Sequence, residues 1–261
     1  MSILQTPQKT TRFMASEFEF RYRFWIIASI YWIAFSFYAI DHRNSGHMLA
    51  RSVAHLRGAT SSTLDHHLVF GVAALLACLA SLLRSWATAY LKPEVMAGMR
   101  LQTSRLVADG PYRFVRNPLY LGNILLAVGI GAMANYAGFA LLVVGNTVFV
   151  WRLMLREEAE LEARQGQSFR AYCAAVPRLV PSLRPCVPSA GGLPNYASGL
   201  LGELFCWAFT GPLVLFALTL NQRIYAWSLG VAFVVFAFSM FANQKRAKFG
   251  GLNQKADAIR P

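Results

Sequence analysis

Charge is scarce in this chain, and acidic charge scarcest. Only 14% of its 261 residues are Asp, Glu, Lys or Arg, with 12 acidic residues against 25 basic ones. A soluble domain carries about a quarter charged residues, so a fully water-exposed globular surface is excluded. Cysteine is sparse too: Cys78, Cys173, Cys186 and Cys206 show no metal-ligand spacing, which argues against a zinc module or a disulfide scaffold. Histidine is absent outside residues 41–67, where His42, His47, His55, His66 and His67 recur irregularly with no neighbouring cysteine. That stretch reads as an ordinary polar loop and not as a metal site. The first residues lack the pattern of a cleaved secretory signal, and there is no internal repeat or low-complexity tract.

What is abundant is apolar. Hydrophobic residues make up 56% of the chain, and six runs, 24–40, 68–83, 119–134, 136–155, 199–220 and 224–242, approach the roughly 20 residues that cross a bilayer core. The expected fold is all-α, a polytopic membrane bundle of about six transmembrane helices. If the spans alternate sides, 21 of the 25 Lys and Arg residues fall on one face. The positive-inside rule then puts both termini and the two long basic loops in the cytoplasm, as expected for an inner or plasma membrane protein. Anionic headgroups account for the net charge of +13, and the dispersed basic residues form no nucleic-acid motif. Three parts are expected: residues 1–83 with two spans, 84–198 as a core with a hairpin and a cytoplasmic segment, and 199–261 with the last two spans and a tail.

The most informative segment is 110–123, Gly-Pro-Tyr-Arg-Phe-Val-Arg-Asn-Pro-Leu-Tyr-Leu-Gly-Asn, where Arg113 and Arg116 precede an apolar run. Charges at a membrane boundary are costly to desolvate, so they anchor a helix or hold a polar ligand. Spans three and four are joined only by Ala134, Asn135 and Tyr136, so their cytoplasmic ends are expected side by side. One end presents Arg113 to Tyr120 and the other Arg152 to Glu162. Gly166 reads as a helix stop, followed by a short helix with Phe169, Tyr172 and Val176 on one face. The Pro- and Gly-rich stretch from Pro177 to Pro194 forbids regular helix and reads equally as a lid or as a linker. Arginine forks bind carboxylates or phosphates, and glutamates bind ammonium groups or hydroxyls. Arg113, Arg116, Asn117, Glu157 and Glu158 therefore suit a zwitterionic ligand, or else a salt-bridged hairpin base.

From about Leu82 to Pro185 the chain resembles the isoprenylcysteine carboxyl methyltransferase family and its phospholipid-methyltransferase relatives. The resemblance rests on Leu106-Val107, Gly110-Pro111-Tyr112, Arg116-Asn117-Pro118-Leu119-Tyr120-Leu121-Gly122, then Arg152, Glu157-Glu158, Phe169, Tyr172 and Val176-Pro177. It implies a membrane enzyme that uses S-adenosylmethionine to methylate a lipophilic acceptor, either an isoprenylcysteine-type carboxylate or a lipid. It also implies a cofactor site formed by Leu106, Val107, Gly110, Tyr112, Arg113, Arg116, Asn117, Pro118, Tyr120, Gly122, Arg152, Glu157 and Glu158. Of these, Arg116, Asn117, Glu157 and Glu158 are the expected catalytic set.

Two positions depart from the family pattern. Asn117 stands where the family has the histidine of its Arg-His-Pro step, and Ser104 stands where another histidine is often found. Asparagine can replace one ring nitrogen as a hydrogen-bond partner but cannot titrate near neutrality. A base, where one is needed, must then be Glu157, Glu158, Asp109 or water. The alternatives carried are a phospholipid N-methyltransferase acting on an amine headgroup, a membrane sterol-reductase-like enzyme using NADPH, and a non-enzymatic scaffold or transporter.

Overall fold

The computed structural model describes residues 13–91 and 108–257, with side chains to residue 241. Among the described residues all regular structure is helical and no strand occurs. In chain order the helices are α1 (Glu17–Arg21), α2 (Arg23–Ser36), α3 (Ser45–Leu56), α4 (Thr63–Ala89), α5 (Pro118–Gly131), α6 (Tyr136–Gln165), α7 (Gln167–Ala175), α8 (Tyr196–Gly202), α9 (Leu204–Thr219) and α10 (Gln222–Asp257). Thr63–Ala89, Tyr136–Gln165 and Gln222–Phe241 are long and apolar enough to cross a membrane. The pair α8 and α9, bent by 71°, makes a fourth candidate. Arg23–Ala39 and Pro118–Gly131 are shorter apolar helices.

Helix α4 corrects the expected second span, which ended at residue 83. Ser62 and Asp65 form a capping box that starts it at Thr63, taking in His66 and His67. Its far end runs past Arg84 to Ala89, so Arg84 belongs to the helix and not to a loop. The outer stretch 41–67 is likewise more structured than a polar loop: the Asn44 side chain accepts from the His47 amide and starts α3. There His47 Nδ1 lies 2.8 Å from His66 Nδ1. At the other end α10 continues beyond residue 242 to Asp257, through residues that are mostly good helix formers.

Helix α4 is the hub. Its buried alanines Ala73, Ala77 and Ala80 face α5, whose glycines let the two backbones come close. A Cβ at Gly129 would lie 2.7 Å from the Ala73 carbonyl oxygen. Helix α9 packs on the opposite flank of α4, where the hydroxyls of Ser81 and Thr210 meet at 2.8 Å and the rings of Phe70 and Phe216 meet edge to face at 4.8 Å. The expected hairpin of α5 and α6 is present. Asn135 caps its tip by accepting from the Gly138 amide and donating to the Phe37 carbonyl oxygen. Within α6, Leu141–Gly145 form a single π-turn before the helix returns to α geometry.

Close approach at Gly129 has a measurable consequence. Gly129→Leu should destabilise detergent-solubilised protein by about 1–3 kcal/mol, the cost of an overpacked contact, read as a lower thermal unfolding midpoint. Gly71→Leu, where no heavy atom lies within 4 Å of the added Cβ, should leave the midpoint unchanged.

Candidate functional site

Pro118 occupies the first position of α5, which needs no amide donor there. The residue before a proline is pushed out of helical geometry, and Asn117 accordingly has φ −121° and ψ 60°. Its side chain makes no cap hydrogen bond. It reaches across the hairpin base instead, with Nδ2 donating to Glu158 Oε1 at 2.9 Å and to the Arg178 carbonyl oxygen at 3.3 Å. Glu158 also receives Arg178 Nη2 at 2.8 Å, and Arg116 Nη1 lies 3.6 Å away. Arg178 stacks over the Trp151 ring at 5.4 Å. A buried carboxylate is thus held by two guanidiniums and an amide, the condition under which burying charge is tolerable.

Residues 177–187 pair with the turn that precedes α5. Arg116 N donates to the Pro177 carbonyl oxygen at 2.8 Å, Ser182 N to Phe114 O at 2.9 Å, Cys186 N to Arg113 O at 2.8 Å, and Arg113 Nε to Val187 O at 2.9 Å. Farther along, Asp109 accepts from Ser189 Oγ at 2.5 Å and from the amides of Ala190 and Gly192 at 2.8 and 2.9 Å. The Pro- and Gly-rich stretch is therefore a strap laid along residues 109–116. Short helix α7 buries Phe169, Tyr172 and Val176 as expected, and the Tyr172 hydroxyl donates to the Tyr112 carbonyl oxygen at 2.8 Å. Burial pushes the Tyr112 and Tyr172 hydroxyls above their ordinary value of 10.0, so both remain neutral donors.

A cavity of about 600 Å³ opens above this base. Tyr112, Arg116, Asn117, Pro118, Tyr120, Glu157 and Glu158, all expected from sequence, line its polar end. Glu157 makes no ion pair among the described residues and has the Tyr120 hydroxyl against its carboxylate. Arg116 Nε is buried without a hydrogen-bond partner. The other end is apolar, with walls from α2 (Phe24, Ile27), α5 (Leu126) and α9 (Phe205).

Four expected residues stand elsewhere. Arg152 is not a cavity residue: its Nη2 donates to Glu19 Oε2 at 2.7 Å, tying α6 to the N-terminal helix. Arg113 holds the strap. Gly110 adopts φ +56° beneath the Tyr90 ring, a conformation that favours glycine. Gly122 makes room for the Arg84 side chain, whose Cδ would lie 2.9 Å from an added Cβ. Leu106 and Val107 lie outside the described residues. Sequence reasoning missed Arg178, Arg84 and the cavity role of Glu203. The available signals were the position of Arg178 directly after Val176-Pro177, and an arginine ending one span matched by the sole acidic residue expected inside another.

Residues 68–167 match the model of the phospholipid methyltransferase family. The chain is 28% identical over 100 residues to a nickel-cobalt-cadmium resistance protein of Alcaligenes xylosoxydans xylosoxydans, covering 38% of this chain and 44% of the relative. It is 27% identical over 159 residues to methanethiol S-methyltransferase 2 of Bradyrhizobium diazoefficiens (61% and 47%), and 27% identical over 105 residues to a cobalt-zinc-cadmium resistance protein of Cupriavidus metallidurans (40% and 45%). The chain spans less than half the length of these curated relatives. No solved structure matches it.

The Asp109 clasp makes the strap pH-sensitive. Burial raises the carboxyl's pKa, but hydrogen bonds from Ser189, Gly192 and Ala190 outweigh that and hold it below the ordinary 3.8. A folded pKa below the unfolded one stabilises the strap fully above 3.8, and the contribution is lost as pH falls through the folded value. Hydrogen exchange at the Ala190 and Gly192 amides should therefore accelerate as the pH drops below about 4 by this linkage, after correction for intrinsic rates. Asp109→Asn should remove that step.

The matched segment runs from α4 through α6 and holds Arg116, Asn117, Tyr120, Glu157 and Glu158, so the part of the chain that is similar to the phospholipid methyltransferase family is the part that builds the polar end of the cavity.

Proposed function

We propose that this chain is an integral-membrane methyltransferase that uses S-adenosylmethionine and acts on a lipophilic acceptor reached from the bilayer. One observation carries the reading: one cavity joins an under-satisfied guanidinium and a carboxylate that makes no ion pair among the described residues to an apolar chamber walled by α2, α5 and α9. The polar end fits the methyl donor in charge. Arg116, with its orphaned Nε, would hold the donor's carboxylate, and Glu157 would hold its ammonium group. Bound there, the donor supplies a methyl group activated on a sulfonium.

The remaining residues would orient and insulate. Glu158, gripped by Asn117 and Arg178, fixes the Arg116 side chain, and Tyr120 fixes Glu157. Leu106 and Val107 are assigned to the nucleoside side by resemblance alone. Gly110, Arg113, Gly122 and Arg152 support the site without lining it. A carboxylate acceptor gives up no proton, whereas a thiol or amine acceptor does, and Glu157 is then the carboxylate available to receive it. Catalysis would consist mainly of holding two ligands in register and excluding water. We further propose six spans with both termini in the cytoplasm, so that the site faces the inner leaflet. A reporter enzyme fused after residue 261 should then be active only in its cytoplasm-sensing form.

Saturation binding of labelled S-adenosylhomocysteine tests the function. Wild-type protein should bind it and not NADPH. Arg116→Ala and Glu157→Gln should each weaken binding about 10- to 150-fold, the loss of one charge-assisted hydrogen bond of ~1.5–3 kcal/mol. Glu158→Gln should weaken it comparably by freeing Arg116. NADPH binding in place of the homocysteine analogue would support a reductase instead. Methyl transfer from labelled donor into a total lipid extract, with mass analysis of the product, identifies the acceptor.

A further inference from the structure

A second charged pair lines the cavity beside the first turns of α5. Arg84, on the last turns of α4, and Glu203, at the bend between α8 and α9, form an ion pair with Nε 2.7 Å from Oε2. Both side chains are largely buried, at 17% and 5% exposure, and both line the cavity. Glu203 is well occupied: besides Arg84, Thr88 donates to its Oε1 at 2.7 Å, and the Cys206 thiol lies 3.4 Å from Oε2. Arg84 is different. Its Nη1 donates to the Leu119 carbonyl oxygen at 3.0 Å and to Asn123 Oδ1 at 2.7 Å, but Nη2 donates to no nitrogen or oxygen among the described residues, and the Cys206 thiol beside the guanidinium is a weak acceptor. The side chain reaches this position only by crossing α5 at Gly122, where a Cβ would collide with its stem.

Arg84 has five N–H donors and no acceptor. Three are committed to oxygens, and the two on Nη2, with no stronger described neighbour than the Cys206 thiol, remain for a better acceptor in the cavity. A donor-only cation favours an oxygen that accepts hydrogen bonds over a thiol, a weak acceptor, and repels an ammonium. We propose that Arg84, braced by Glu203 across Gly122, anchors an oxygen-bearing polar group of the lipophilic acceptor: a carboxylate, hydroxyl, carbonyl or phosphoryl oxygen. The anchoring oxygen need not be the methylated atom. Calling this ligand the acceptor rests on the methyltransferase reading. The anchor itself rests on the cavity and the uncommitted Nη2 donors.

The test uses full-length protein in nanodiscs and two matched twelve-carbon pairs, dodecanol against dodecanethiol and dodecanoate against dodecylamine. Binding of each labelled amphiphile is corrected for partition into empty discs. Wild-type protein should favour the oxygen-bearing member of each pair at least tenfold. The double variant Arg84→Gln/Glu203→Gln, which leaves no unpaired charge behind, should shrink that preference below threefold while S-adenosylhomocysteine affinity stays within twofold of wild type. Arg84→Lys retains the charge, but its three donors are matched by Glu203, Leu119 and Asn123, so it too should lose at least threefold in preference.

A wild type without preference would overturn the anchor. So would a preference that survives in either variant whose homocysteine-analogue binding is intact. A wild type that favours the oxygen-bearing amphiphiles yet binds no S-adenosylhomocysteine would support the anchor and refute the methyltransferase reading.

Discussion

The carboxylate of Glu158 is the contact on which the lower half of this molecule depends. Three segments distant in sequence converge on it: the start of α5 through Arg116 and Asn117, the last turns of α6 through Glu158 itself, and the strap through Arg178. Each of those groups would be expensive to bury alone, and together they satisfy one another. The clamp thereby fixes the angle at which the hairpin base meets the strap, and that angle sets the floor of the cavity. Glu157, one residue earlier, faces the cavity with the Tyr120 hydroxyl against it and Arg23 across the cavity, but in no ion pair among the described residues. Adjacent residues on a helix point about 100° apart, so one of the two glutamates can be structural while its neighbour faces a ligand.

A second buried ion pair organises the neighbouring wall of the cavity. Arg84 and Glu203 join α4 to the bend before α9, so the two flanks of the cavity are tied by charge as well as by apolar packing. The motif glycine Gly122 belongs to this arrangement, because it gives the Arg84 stem a path across α5. Small residues on α4 and α5 thus do two jobs. Ala73, Ala77 and Gly129 let backbones touch, and Gly122 lets a long cation pass.

Much of this architecture was legible in the sequence, because apolar runs and a three-residue link between two of them are strong signals. Each of the six runs overlaps helix, although 199–220 is split by the 71° bend between α8 and α9 and 24–40 and 119–134 fall in shorter apolar helices, and the hairpin base brings together Asn117, Glu158 and Arg116. What failed were assignments that depend on the reach of side chains. Arg152 shares the basic character of Arg116 but turns toward Glu19, and nothing local distinguishes the two. Arg84 looked like a loop charge because a hydropathy reading stops a span at its first arginine, whereas a partner on another helix lets the helix continue. The α3 helix was hidden by polar composition, and its Asn44 cap is seen only in the structure. Arg178 was invisible as a ligand of Glu158 because its role comes from the strap folding back, which composition does not specify.

The π-turn at Leu141–Gly145 has a consequence for how α6 serves two masters. One surplus residue in a helix advances the phase of everything beyond it by roughly a quarter turn relative to an unbroken α-helix. The outer segment of α6 can thus seat Gly138 against the Ala34 backbone while the inner segment independently aims its glutamates at the α5 start and the cavity. The bulge acts as a phase adjuster between two docking faces, so sequence drift at the outer tip can be absorbed without rotating the acidic pair away from its guanidinium partners.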